Sequence, residues 1–408
     1  MSESNSSTRE LKHIYISGIV SGIFLCLIVI LLLQIFGVIP KWWNTEFVKD
    51  VSERAGVVEQ YVDKYYWKDN VSEQTMSEYA AKGMVSALGD KYSAYYTESE
   101  YNETMNGVEG EYPGIGAVIR TDTKTNRRYI DSVQEGKPAA RAGVKPQDEI
   151  IRVDGQEISE KTMSELVQMI QKEEGETVVL TVGRKENDQT VQKDISIKIE
   201  TIVSQSVESR TLDDGLGYIR IERFEKATTE QFRTALASLE EQGQKGIVID
   251  VRDNGGGSLE ACVEILDRLL PAGKLITEKS KGSGDKVYSS TDKEHFDKPV
   301  VILINGNSAS ASEVFAGTLQ DRGAAVVTGT KSFGKGIVQT IYSLENSCGG
   351  GIKLTTGEYL LPSGRSIHEV GLTPDVEVEY EGATKKLGAE DDNQLRKAQE
   401  ILKAQIEG

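Results

Sequence analysis

Between Ile14 and Ile39 the chain carries no charged residue, and Gln34 is its only strongly polar interruption. A helical run of that length crosses roughly 30 Å of hydrocarbon with some tilt. Signal-peptide runs are shorter, about 7–15 residues, and end in a small-x-small site. Here the run ends in Val38-Ile39-Pro40-Lys41-Trp42-Trp43, and the Trp pair suits the headgroup level of a bilayer. Leu25 before Cys26 is too large for a lipoprotein box. The pattern predicts a cytoplasmic tail at 1–13 and a single-pass anchor in the cell membrane at 14–39. Arg9 and Lys12 precede the run, and Lys41, Lys49 and Arg54 follow it, so charge alone does not orient it. A short tail before a first helix commonly stays inside, which places the bulk of the chain outside the cytoplasm.

Past the anchor the periodicity changes twice. From 45 to 106 apolar residues recur at helical spacing: Phe47, Val51, Val57, Val58, Tyr61 and Val62, then Met76, Tyr79, Met84, Val85 and Leu88. These stripes predict core or dimer contacts rather than a site. From 108 to 204 short strands surround one helix, with strands at 117–120, 128–130 and 176–184, a strand and turn at 149–155, and the helix at 162–171. From 205 to 380 strands alternate with helices. Strands are expected at 216–221, 246–251, 299–304 and 324–328, and helices at 228–242, 258–270 and 310–321. That alternation predicts an α/β layer with parallel crossovers. Strands near 352–356 and 376–380 close the domain, and 381–408 ends in a polar helix.

Composition narrows the function. With 408 residues, 38% hydrophobic and 27% charged, the chain is an ordinary globular protein of two or three domains. A formal net charge of -17 repels phosphate backbones and argues against a nucleic-acid partner. Cys26, Cys262 and Cys348 form no CxxC pair, so neither a zinc site nor a disulfide framework is indicated. Histidine is scarce, with His13, His295 and His368 only, and no HExxH occurs. No cofactor or metal is called for.

Three segments carry chemistry. In Ile304-Asn305-Gly306-Asn307-Ser308-Ala309-Ser310-Ala311-Ser312-Glu313 an apolar strand runs through small residues into a helix. A serine at a helix N-terminus faces free N–H groups and a dipole that favour a developing oxyanion. Serines also cap helices without any chemistry, so this segment alone does not decide. Ser332-Phe333-Gly334-Lys335-Gly336 places a lysine between glycines. Burial lowers a lysine pKa enough for it to act as a base, and no histidine here has a catalytic context. A Ser–Lys pair is therefore the better mechanism. The third segment, Asp250-Val251-Arg252-Asp253-Asn254-Gly255-Gly256-Gly257, can aim a backbone N–H at a substrate carbonyl. Gly329 to Gly336 nearly spells a phosphate-binding loop, but Gly336 stands where Ser or Thr must hold magnesium, so nucleotide hydrolysis is set aside.

Together these strings resemble the carboxyl-terminal processing peptidases, also called tail-specific proteases. Tyr359-Leu360-Leu361-Pro362-Ser363-Gly364-Arg365-Ser366-Ile367 and Gly371-Leu372-Thr373-Pro374-Asp375 add to the match. The resemblance implies Ser310 as nucleophile, Lys335 as base and Gln339 as its orienting partner. It implies oxyanion donors at Ala311 and Gly256, although Gly255 stands where the family often has proline. It implies a core similar to the crotonase and Clp-peptidase fold. Residues 108–204 resemble an inserted PDZ domain, with Gly114, Ile115 and Gly116 as the loop that takes a C-terminal carboxylate. Gln147-Asp148 departs from the usual Gly-Asp pair there, which concerns a turn. By the same resemblance the substrates are proteins or peptides, bound by their C-termini through a domain that gates the active site. A homodimer follows by analogy only. A catalytically inactive PDZ adaptor is the alternative.

Overall fold

The computed structural model describes residues 45–68, 71–187, 189–282, 284–291, 295–384 and 386–408. The anchor expected at 14–39 and the tail at 1–13 lie outside the described residues. Among the described residues, no helix is long and apolar enough to cross a membrane.

The first compact unit, Met1–Ser77, contributes the helix Glu46–Tyr65. Thr45 caps it by accepting the Val48 N–H. Its apolar stripe buries nothing: Phe47, Val57, Val58, Tyr61 and Tyr65 are all exposed. The expected core contact is therefore not made within the described residues, because the stripe is too narrow and too interrupted by charge to seed a core alone.

The second unit, Glu78–Gly408, holds two layered domains. The larger is built on a six-stranded sheet whose order is Val207–Thr211, Gly217–Ile221, Ile247–Asp250, Val300–Ile304, Ala325–Gly329 and Val376–Glu377. Every pair from Gly217–Ile221 onward is parallel, as the alternation predicts. Side chains alternate across it. Ile247, Ile249, Ile302 and Ile304 face the helices Thr228–Glu241, Leu259–Leu269 and Ala311–Asp321. Val248, Val301 and Leu303 face the C-terminal helix Asn393–Glu407 through Leu395, Ala398 and Leu402. That helix reads as polar because only a narrow stripe is buried, yet it closes the second face of the sheet.

A fully buried ion cluster locks it there. Arg252 donates to Asp250 Oδ2 and to Asp392 Oδ2, both at 2.6 Å, and to Gln394 Oε1 at 2.8 Å. The two carboxylates hold the guanidinium well above its ordinary pKa in spite of burial, which alone would lower it. Arg252 opens the glycine-rich turn, so the C-terminal helix and that turn share one anchor.

A second, antiparallel sheet was not legible as a unit. Gly351–Leu360 pairs with Ile337–Ser343, with Gly273–Ser280 and with Ala94–Tyr96, and Gly284–Ser290 extends it. Ala94–Tyr96 is thus a strand inside a stretch read as helical.

The smaller domain is a sheet in the order Ala117–Thr121, Arg128–Val133, Glu149–Val153, Thr177–Glu186 and Gln189–Lys198. The helix Met163–Ile170 seals its core with Leu166 and Ile170, behind a capping box of Thr162 and Glu165. Gln147 takes φ 71°, the left-handed turn that glycine would adopt freely. Asp148 beside it is buried and pairs with Arg184 at 2.6 Å. A two-stranded ribbon, Glu111–Gly114 with Glu200–Val203, carries the chain into and out of this domain.

Candidate active site

The three serines of the Ser308–Ser312 string have different fates. The buried Ser308 hydroxyl donates to the Val251 carbonyl at 2.7 Å and accepts the Asn305 N–H at 3.0 Å. The buried Ser312 hydroxyl donates to the Asn254 carbonyl at 2.9 Å. Both tie the serine segment to the glycine-rich turn. Ser310 alone is partly open. It sits at the head of the helix Ala311–Asp321 with φ 57° and ψ -118°, a strained backbone for any residue with a side chain. A sharp strand-to-helix turn of this kind lifts a nucleophile out of the surface. As a first-turn helix amide, the Ala311 N–H has no intrahelical acceptor and is available to an oxyanion.

Gly256 packs directly on this turn. A Cβ built on it would stand 2.8 Å from the Ala309 carbonyl, 2.9 Å from the Ala311 nitrogen and 2.9 Å from Ser310 Cβ, and its φ is 97°. Only glycine fits there. Its N–H, however, donates to Asn254 Oδ1 at 2.8 Å. The expected oxyanion donor is therefore adjacent to Ser310 but engaged elsewhere, because the Asn254 side chain folds back over its own turn. Asn254 is held in turn by its amide at the Ile221 carbonyl, 2.9 Å away.

Lys335 lies in the loop before the strand Ile337–Ser343, half-buried. Its amine donates to Gln339 Oε1 at 2.7 Å, and Gln339 Nε2 donates to the Tyr92 carbonyl at 2.7 Å. A register shift between Val338 and Gln339 turns the glutamine back toward the loop. Burial pushes the Lys335 pKa below its ordinary value. Lys353 nearby pushes the same way, while Asp90 and Glu313 oppose. Among the described residues no hydrogen bond joins this amine to the Ser310 hydroxyl. The phosphate-loop alternative fails here, since the loop runs into a strand rather than a helix.

What unites serine and lysine is Glu313, the last residue of the Ser308–Glu313 string and one to which the sequence pattern assigns no role. It is fully buried. One carboxylate oxygen accepts the Ser310 N–H at 2.9 Å and the Lys335 N–H at 2.7 Å. The other accepts the Gly334 N–H at 2.7 Å and the Ser332 hydroxyl at 2.5 Å. A single carboxylate thus fixes both segments. The spacing of Glu three residues past Ser310 was a signal, because that is a capping-box position. Glu313→Gln is expected to lower turnover by about 100-fold, since an amide must point its NH₂ at two of those donors. Steady-state kinetics on a folded variant checks this; wild-type turnover would contradict it.

In the smaller domain the predicted carboxylate loop is held through its carbonyls. Ile115 accepts the Ala139 N–H at 2.8 Å and Gly116 accepts the Gln134 N–H at 3.0 Å. Gly114 belongs to the ribbon strand, in register with Glu200. Gly116 has φ 71°, and a Cβ there would lie 2.5 Å from Lys137 Cβ. The strand that follows, Ala117–Thr121, is a sheet edge, paired on one side only among the described residues. Such an edge can accept an added strand.

Comparisons with known proteins agree with this layout. Residues 215–378 match peptidase family S41, and residues 129–184 match a PDZ domain. A relative from Staphylococcus saprophyticus, "Probable CtpA-like serine protease", is 32% identical over 383 residues, which is 92% of this chain and 76% of that one. A relative of the same description from Staphylococcus aureus MRSA252 is 37% identical over 318 residues, 77% of this chain and 62% of its own length. The matched part of the chain thus spans under two thirds of the Staphylococcus aureus protein. A solved S41-type structure from Bacteroides fragilis has a TM-score of 0.50 at 17% identity, covering 85% of this chain and 96% of that one, a likeness of fold alone. By the extent of its match to the Staphylococcus saprophyticus relative, the chain belongs to peptidase family S41.

Proposed function

We propose that this chain is a membrane-anchored serine endopeptidase that takes hold of protein C-termini and cleaves with Ser310 and Lys335. The observation that carries this reading is the Glu313 carboxylate, which binds the backbone N–H of both residues. A buried carboxylate that ties a strained serine to a half-buried lysine fits a site whose two reacting groups must be held in fixed register.

In the proposed reaction neutral Lys335 takes the proton of Ser310 as its oxygen attacks the scissile carbonyl. The Ala311 N–H holds the oxyanion. A second donor requires Asn254 to release the Gly256 N–H. The lysine ammonium then protonates the leaving amine, and an acyl-enzyme remains on Ser310. Water, deprotonated by the same amine, releases it. Gln339 accepts one N–H of the amine throughout, which helps aim its lone pair. With that bond kept, the amine turns its lone pair to the hydroxyl, with which it shares no hydrogen bond at rest among the described residues.

The PDZ domain would bind an apolar, extended C-terminus by adding it to the edge strand Ala117–Thr121, with the carboxylate at 114–116. Binding there would gate the site. An inactive adaptor is disfavoured by the reactive pair beside it. The apolar run at 14–39 supports a single-pass anchor. The exposed stripe of Glu46–Tyr65 supports pairing with a second copy.

The test is selectivity. An unstructured polypeptide with a free C-terminal carboxylate should be cleaved about tenfold or more faster than its C-terminal amide. Equal rates would remove the C-terminal reading while leaving the peptidase in place.

A further inference from the structure

The segment Asp90–Tyr96 belongs to the stretch read from sequence as helical packing, yet it reaches the base. Tyr92 makes two contacts there. Its ring lies under the Lys335 amine, 4.9 Å from centroid to Nζ. Its carbonyl accepts the Gln339 amide at 2.7 Å. With the Lys335–Gln339 hydrogen bond of 2.7 Å, these contacts close a triangle around the amine.

We infer that Tyr92 is a positioning residue for Lys335: its ring seats the amine, and its carbonyl fixes which end of the Gln339 amide faces that amine. The amide orientation follows from donor chemistry. A carbonyl can only accept, so Gln339 must turn Nε2 to Tyr92 and leave Oε1 for the lysine.

Tyr92 is itself pinned from both sides. Asp90 accepts the Tyr92 N–H at 3.0 Å and the Ser93 hydroxyl at 2.6 Å. The Thr355 N–H donates to Ser93 Oγ at 3.1 Å. Ala94–Tyr96 then pairs with Gly351–Lys353 in register. The N-terminal segment therefore docks as a strand and delivers one ring to the site.

The ring acts on the amine in two opposed ways. Its π face attracts the ammonium form. Its bulk keeps water off, which favours the neutral form. Asp90 and Glu313 also favour the charged form and Lys353 disfavours it, and these three stay in place when only the Tyr92 side chain changes. The Lys91 amine lies over the same ring at 4.8 Å, so a variant without the ring also releases that charge. The inference rests on the reading of Lys335 as base, but the two can fail separately.

The experiment titrates the Lys335 side chain by ¹³C NMR in the full-length chain labelled at lysine, assigned with Lys335→Ala, beside the pH profile of peptide cleavage. Tyr92→Phe keeps the π face and should leave the midpoint within about 0.2 pH unit. Tyr92→Leu and Tyr92→Met keep apolar bulk without a ring, and should each lower it by about 0.5–1 unit. Tyr92→Ala admits water and should raise it. A Leu or Met midpoint equal to or above wild type overturns the inference. Should the midpoints move as stated while cleavage ignores Lys335→Ala, the seat stands and the proposed role of the lysine falls.

Discussion

Ser310→Ala is expected to lower peptide cleavage by about 10⁴-fold or more, with the fold intact. The side chain lost is a small hydroxyl at a partly open turn, and the first helical turn is closed by backbone bonds from Glu313 and Val314 to the Ser310 carbonyl. The neighbours make the comparison sharp. Ser308→Ala and Ser312→Ala each remove a buried hydrogen bond between the serine segment and the glycine-rich turn. Each should cost about 1–2 kcal/mol of stability. Their effect on rate should be far smaller than that of Ser310→Ala, because they support the nucleophile without bearing it. Kinetics and thermal melts on the three variants check this. Equal loss of activity in all three, at equal stability, would mean that the string is a scaffold.

The second large effect falls on the base. Lys335→Ala is expected to lower cleavage by about 10²–10⁴-fold. Lys335→Arg should be as poor, since a guanidinium keeps the charge but cannot give up its proton near neutral pH. That variant separates a base from a positive charge that merely attracts substrate. The pH profile follows from the same chemistry. A lysine acting as base works only when neutral, so in the proposed mechanism the rate should fall as pH drops through the Lys335 pKa. Burial depresses that pKa, which moves the fall toward neutrality from the range of an ordinary lysine. A rate indifferent to acid down to about pH 5 would contradict the assignment.

Much of this was legible from local pattern. The parallel sheet shows itself as continuous apolar strands such as Val300–Ile304, buried on both faces and separated by helical runs. The PDZ core shows itself in the strand Thr177–Glu186 and the capped helix Met163–Ile170. Long-range pairing was not legible. Gly273–Ser280 and Gly284–Ser290 mix polar and apolar residues because one face meets water, so no clean period marks them. Ala94–Tyr96 is three residues long and takes its structure from Gly351–Lys353, more than two hundred residues away.

The site divides along the same line. Ser310, Lys335 and Gln339 stood out because small residues and glycines flank the first two and resemblance marks all three. Glu313 and Tyr92 did not, because their roles exist only once distant segments meet. Glu313 reads locally as a capping residue, and its second set of partners lies at Ser332, Gly334 and Lys335. The engagement of the Gly256 N–H by Asn254 is a choice of side-chain direction, which no spacing rule encodes.

In the proposed mechanism one hydroxyl among three is activated by one amine. Acylation by a fluorophosphonate or an activated ester, mapped by mass spectrometry on the full-length chain, reads that directly. A single adduct on Ser310 is expected, forming faster as pH rises through the titration of Lys335 and lost in Lys335→Ala. An adduct on Ser308 or Ser312, or one on Ser310 whose rate is unchanged without the lysine, would contradict it.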